Sequence, residues 1–134
     1  MAVFKSHSTR QTIAFATEYA HTLVAGDVVL LEGDMGAGKT VFCKGLAKGL
    51  GIEEEITSPT YAYMNDYSGK LYHYDCYRLT CGAQAEGLGL TDYFYGNGIC
   101  VIEWAQNIAD VLPANCKKVT INKIGDNERE IIYG

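Results

Sequence analysis

Residues 33–40 read Gly-Asp-Met-Gly-Ala-Gly-Lys-Thr, two glycines with four residues between them, followed by Lys and Thr. This is the pattern of a phosphate-binding loop, and it constrains the fold because such a loop works only between a strand and a helix. Gly33, Gly36 and Gly38 lack Cβ, so the backbone can curl and bring its N–H groups against phosphate oxygens. Lys39 supplies a point charge to the β- and γ-phosphates, and the Thr40 hydroxyl is a ligand for Mg²⁺. A helix starting there directs its positive dipole end at the same anion. The flanks agree. Val28-Val29-Leu30-Leu31-Glu32 is an apolar run of strand length. From Val41 to Gly51, apolar residues at 42, 46, 47 and 50 keep helical spacing, and the closing glycine suits a helix C-terminus.

The rest of the chain supplies elements around this unit. Ser8-Thr9-Arg10-Gln11 reads as a capping box, and Ile13, Ala16, Ala20, Leu23 and Val24 then repeat at helical spacing up to Gly26. Tyr61–Tyr67 and Leu71–Tyr77, around Ser68-Gly69, read as a β-hairpin. Residues 82–95 read as short helix and loop. Ile99–Glu103 is a second buried strand, and Ala105–Leu112 a short helix stopped by Pro113. Lys117–Ile124 and Arg129–Tyr133 form a terminal hairpin pattern. Two near-continuous apolar strands, 28–32 and 99–103, suit the covered centre of a parallel sheet. The hairpins are expected to extend it antiparallel. The expected fold class is α/β: a P-loop nucleotide-binding fold of one domain, 1–134, with a mixed central sheet, flanking helices and antiparallel hairpins.

With 134 residues, 48% of them apolar, a core needs no metal or disulfide staple. The net charge of −5 argues against stand-alone nucleic-acid binding, which rests on neutralising phosphates. Five cysteines, an odd number with no Cys-x-x-Cys, point to a reducing compartment and away from a zinc site. No charged-then-apolar leader precedes Ser8, and no apolar stretch approaches the ~18 residues of a membrane span. The expectation is a cytoplasmic chain with no membrane partner.

A phosphate loop needs a second carboxylate to complete a Mg²⁺ shell, set at the carboxyl end of a neighbouring strand. Glu103, closing the run Ile99–Ile102, fits; the bland alternative is a solvated strand-end Glu. His73, Asp75 and Tyr77 share one face of their strand, which is either part of a site or a solvent-facing polar stripe. Arg78 is placed to pair with either carboxylate. Ser58-Pro59-Thr60 reads as a turn, or as a switch close to the loop helix.

Gly33–Thr40, Ser58-Pro59-Thr60-Tyr61, His73-Tyr74-Asp75-Cys76-Tyr77-Arg78 and Val101-Ile102-Glu103-Trp104 together resemble, in order and spacing, the TsaE (formerly YjeE) family. These are small bacterial ATPases of tRNA threonylcarbamoyladenosine biosynthesis, and the resemblance covers essentially the whole chain. It implies that Gly33, Asp34, Met35, Gly36, Ala37, Gly38, Lys39 and Thr40 hold ATP phosphates. Met35 stands where Leu is common, with little consequence because backbone N–H groups make the contacts. The resemblance implies Mg²⁺ on Thr40 and Glu103, with Asp75 as the carboxylate supporting hydrolysis. It puts Thr60 in a switch segment, Trp104 beside the nucleotide, and Thr9 and Arg129 near the base. It also implies partners, the proteins TsaD and TsaB, with tRNA reached only through their complex.

Three functions compete. An ATPase serving a complex agrees with the acidic charge. A small-molecule kinase shares the loop but needs several arginines to clamp a phosphoryl group, and only Arg10, Arg78 and Arg129 exist. A nucleotide-binding regulatory module without turnover is argued against by Glu103 and Asp75.

Overall fold

The computed structural model describes residues 1–34, 36–59 and 62–134. Among these, seven strands form one mixed sheet: β1 (Ala2–Ser6), β2 (Val28–Gly33), β3 (Met64–Tyr67), β4 (Leu71–Asp75), β5 (Ile99–Glu103), β6 (Cys116–Lys123) and β7 (Arg129–Tyr133). Their spatial order is β1-β7-β6-β2-β5-β4-β3. The helices are α1 (Thr9–Ala20), α2 (Lys39–Gly49) and α3 (Gly82–Gly87), with 3-10 segments at Leu90–Tyr93 and Ala105–Val111.

Side-chain alternation divides the core. Val29, Leu31, Leu71, Ile99 and Val101 pack with α1 and α2 on one face of the sheet. Val28, Tyr74, Cys100 and Ile102 pack with α3 and the 3-10 segments on the other. The period of two decides where the polar residues go. Glu103 follows Ile99 and Val101, and His73 follows Leu71, so both face α2. The α1–α2 crossing is close because α2 carries glycines there. A Cβ at Gly45 would lie 2.4 Å from Ala16 Cβ, and one at Gly49 would lie 2.5 Å from Thr17 O.

The centre is as expected: β2 and β5 are adjacent, parallel and buried. Four details differ from the sequence expectation. Each hairpin's inner strand runs parallel to the centre, β6 beside β2 and β4 beside β5, and the hairpins' outer strands β7 and β3 run antiparallel to these inner strands. An antiparallel edge strand, β1, pairs with β7, and nothing local in its five residues announced it. Helix α1 ends at Ala20 rather than near Gly26, and Val24 is 66% exposed. The helix expected over 105–112 is a 3-10 segment broken at Ile108 (φ −129°, ψ 30°). The cap of α1 is nearly as expected: Ser8 Oγ accepts from the Gln11 N–H at 3.1 Å. The return bond to Gln11 Oε1, 2.7 Å long, comes from His7 N–H rather than from Ser8.

Candidate nucleotide site

The glycine loop leaves the carboxyl end of β2 and feeds directly into α2. Gly36 (φ 82°) and Gly38 (φ 104°) take left-handed backbone that side chains disfavour, so the turn depends on them. The turn delivers Lys39 at the first residue of α2, above the end of β5. There its Nζ lies 3.4 Å from Glu103 Oε1 and 5.7 Å from the centre of the Trp104 ring. Glu103 is 8% exposed, not a solvated strand end.

Strand β4 supplies the third member. Because β4 lies parallel beside β5, Asp75 aligns with Glu103. His73 is fully buried on the same face, which rules out a solvent-facing stripe. Its Nε2 sits 2.5 Å from Glu103 Oε2 and 3.7 Å from Cys43 Sγ on α2. Nδ1 is buried without a partner among the described residues. Cys43 and Glu103 address the same ring nitrogen, so the three do not form a nucleophile–base–carboxylate relay, which needs both nitrogens. Burial works against charging His73, but Cys43 and then Glu103 outweigh it, and the imidazole is held well above its ordinary pKa. Burial likewise works against Glu103, but His73 and then Lys39 outweigh it and hold the carboxyl below its ordinary value. The Glu103 carboxyl thus lies between Lys39 and His73, each of which favours its charged form.

A cavity of about 700 Å³ opens over this cluster. It brings together Gly36, Gly38, Lys39, Thr40, Ser58, Asp75, Tyr77, Glu103, Trp104 and Arg129. Asp75 is half-buried, and its Oδ1 accepts from the Tyr77 N–H at 3.0 Å. Tyr77 also meets Trp104 edge-on, ring centres 4.9 Å apart. Trp104 is turned to this position by a left-handed backbone (φ 58°) at the end of β5. Gly33 and Asp34 border a neighbouring cavity of about 540 Å³ that shares Lys39 and Trp104. Thr9 lines a small recess of about 60 Å³ with Gly38, Asp126, Asn127 and Arg129. Ala37 is buried, and its carbonyl accepts from Arg129. Arg78 is exposed. Pro59 O accepts from the N–H groups of Ala62 and Tyr63. Met35 and Thr60 lie outside the described residues.

Thr40 and Glu103 face the same cavity and offer only oxygen. A hydroxyl and one carboxylate, with space left for phosphate oxygens and water, suit Mg²⁺ better than a soft metal. Among the described residues no group of three His, Cys, Asp or Glu side chains is suited to a metal by itself. The sequence reading missed His73 and Cys43 as the supports of Glu103. The signal existed, since residues 73 and 75 share a face, but its meaning depended on β4 lying beside β5.

Fold and site define the class: a mixed α/β sheet with a glycine loop, an N-terminal helix lysine and a strand-end carboxylate gathered at the carboxyl ends of its parallel strands. The family follows from comparison. The family described as "Threonylcarbamoyl adenosine biosynthesis protein TsaE" matches residues 6–131, and the chain belongs to it. The tRNA threonylcarbamoyladenosine biosynthesis protein TsaE of Bacillus subtilis (strain 168) is 42% identical over 133 residues, 97% of this chain and 83% of that one. That of Treponema pallidum (strain Nichols) is 43% identical over 128 residues, 94% and 95% of the two chains. The crystal structure of B. subtilis YdiB superposes with a TM-score of 0.81 at 39% identity, covering 98% of this chain and 83% of that one.

Proposed function

We propose that this protein binds ATP with Mg²⁺, hydrolyses it slowly on its own, and serves a TsaB–TsaD complex that makes threonylcarbamoyladenosine in tRNA. It touches tRNA only through that complex and works in the cytoplasm; among the described residues no helix is long and apolar enough to cross a membrane. The observation that carries this reading is the Glu103 carboxyl held between Lys39 and His73 under the glycine loop. Mg²⁺, when bound, neutralises phosphate charge and polarises the transferred group. Thr40 and Glu103 are the residues that would hold it. The loop amides and Lys39 bind the phosphates. His73 keeps the Glu103 carboxylate turned toward the cavity. Asp75, aligned with Glu103 one strand away, is placed to orient water. Trp104 and Tyr77 wall the cavity and limit solvent.

A small-molecule kinase is less well supported. It needs guanidinium groups free to clamp a moving phosphoryl, and Arg129, which borders the cavity, gives its donors to backbone carbonyls. The test is phosphate release by the chain alone and with TsaB and TsaD, beside pull-down of the complex in ATP and in ADP. The expectation is faster release with the complex and tighter association in ATP, a coupling on the order of 1–3 kcal/mol. Equal association in both nucleotides, with a phosphorylated small molecule found in an acceptor screen, would end this reading in favour of the kinase.

A further inference from the structure

One side chain ties the glycine loop to a hairpin tip about ninety residues away. Arg129 Nε donates to Ala37 O at 2.9 Å, and Nη2 donates to Gly36 O at 3.3 Å. Nη1 donates to Gly125 O at 3.0 Å, to Glu128 O at 2.9 Å and to Asp126 O at 3.4 Å. All these acceptors are backbone carbonyls, in two segments only. A guanidinium is a rigid planar fork, so a shift of Gly36–Ala37 is transmitted to the carbonyls at its other end. A trans peptide sets the carbonyl of one residue opposite the N–H of the next. Holding Ala37 O therefore aims the Gly38 N–H away from the guanidinium, and Gly38 lines the 700 Å³ cavity. The preceding N–H, of Ala37, is already committed to Asp34 O at 2.9 Å.

We infer that Arg129 is a positioning residue: it presets the glycine loop for phosphate and relays phosphate binding to the β6–β7 tip, residues 124–128, instead of contacting the nucleotide. The inference rests on the phosphate-loop reading above and adds a second responding surface to it. The tip is where the sequence resemblance expects a base, so the probe must lack one. Tripolyphosphate with Mg²⁺ is suitable.

The experiment is amide hydrogen exchange of the full chain with and without tripolyphosphate, on wild type, Arg129→Gln and Arg129→Lys. In wild type, exchange should slow several-fold both at residues 36–40 and at 124–128. In Arg129→Gln the tip response should vanish and tripolyphosphate should bind about tenfold more weakly, the order of one charge-assisted hydrogen bond net of solvation. Lysine keeps the charge but cannot span both segments, so Arg129→Lys should behave like Arg129→Gln, and free guanidinium should partly restore the Gln variant. A loop response with no tip response in wild type overturns the relay, whatever the variants do. A tip response that survives in Arg129→Gln, or full function in Arg129→Lys, overturns it too. No response at residues 36–40 in wild type overturns the phosphate-loop reading itself, and the relay with it.

Discussion

Replacing His73 by leucine should destabilise the protein far more than removing a surface ion pair. His73 is fully buried and donates to Glu103 at 2.5 Å, and Glu103 is 8% exposed. His73→Leu leaves that carboxylate with Lys39 alone, at 3.4 Å. Stranding one member of a buried pair costs about 3–5 kcal/mol. Lys39 remains and one side of Glu103 opens on the cavity, so the lower end of that range applies, about 3 kcal/mol. Glu103→Leu should cost less, about 1–2 kcal/mol, because a buried imidazole can shed its proton and needs only neutral partners. The double leucine variant removes both polar groups together, and apolar replacement of a buried pair is often close to neutral. The two single costs should therefore fail to add: with the double variant close to neutral, the coupling approaches their sum, about 4–5 kcal/mol. Urea unfolding near neutral pH, without nucleotide or Mg²⁺, reads this directly. With a slope of about 1–3 kcal/mol/M, the midpoint of His73→Leu should drop by about 1–3 M. A drop under about 0.3 M, or costs that add within about 0.5 kcal/mol in the double variant, would refute the claim that this pair is buried and coupled.

Asp75→Asn should keep the fold and nucleotide affinity while lowering phosphate release with the complex present, since it is nearly isosteric and removes only a charge; normal turnover would make Asp75 structural. Gly49→Ala should lower the melting temperature, because the new Cβ would stand 2.5 Å from Thr17 O and 2.6 Å from Ala20 Cβ. Overpacking of about 1–3 kcal/mol outweighs the ~1 kcal/mol helix-propensity gain, and a rise in melting temperature would contradict that close crossing. Burial pushes the Cys100 thiol up to about 11 and the Cys76 thiol up to about 12 from an ordinary 9.0. Each stays protonated in the fold while the unfolded chain ionises, so their contribution is complete below about pH 9 and is lost as pH rises toward the folded values. Stability should fall by up to ~1.4 kcal/mol per pH unit for each thiol, and Cys100→Ala should flatten the decline; an unchanged slope would place Cys100 in solvent.

What the sequence determined by itself is what depends on near neighbours. The Gly33–Thr40 spacing gave the turn, because only glycine takes the left-handed backbone at 36 and 38. Helical spacing gave α2, and the apolar runs gave β2 and β5 as the covered centre. Alternation already placed Glu103 on the same strand face as Ile99 and Val101. Tertiary structure decided the rest. The order β2-β5-β4 set Asp75 beside Glu103 and brought the His73 imidazole to its carboxylate. No local pattern says which strand lies next to which, since pairing is fixed by long-range packing and chain connection. For the same reason β1 and the parallel direction of β4 and β6 were not legible. Helix α1 stopped short of Val24 because a run of helical spacing does not say where the protein beneath it ends. The family resemblance puts Arg129 near the base; that its guanidinium donates to the carbonyls of Gly36 and Ala37 depended on the last hairpin folding against them, and no sequence pattern displays those carbonyls.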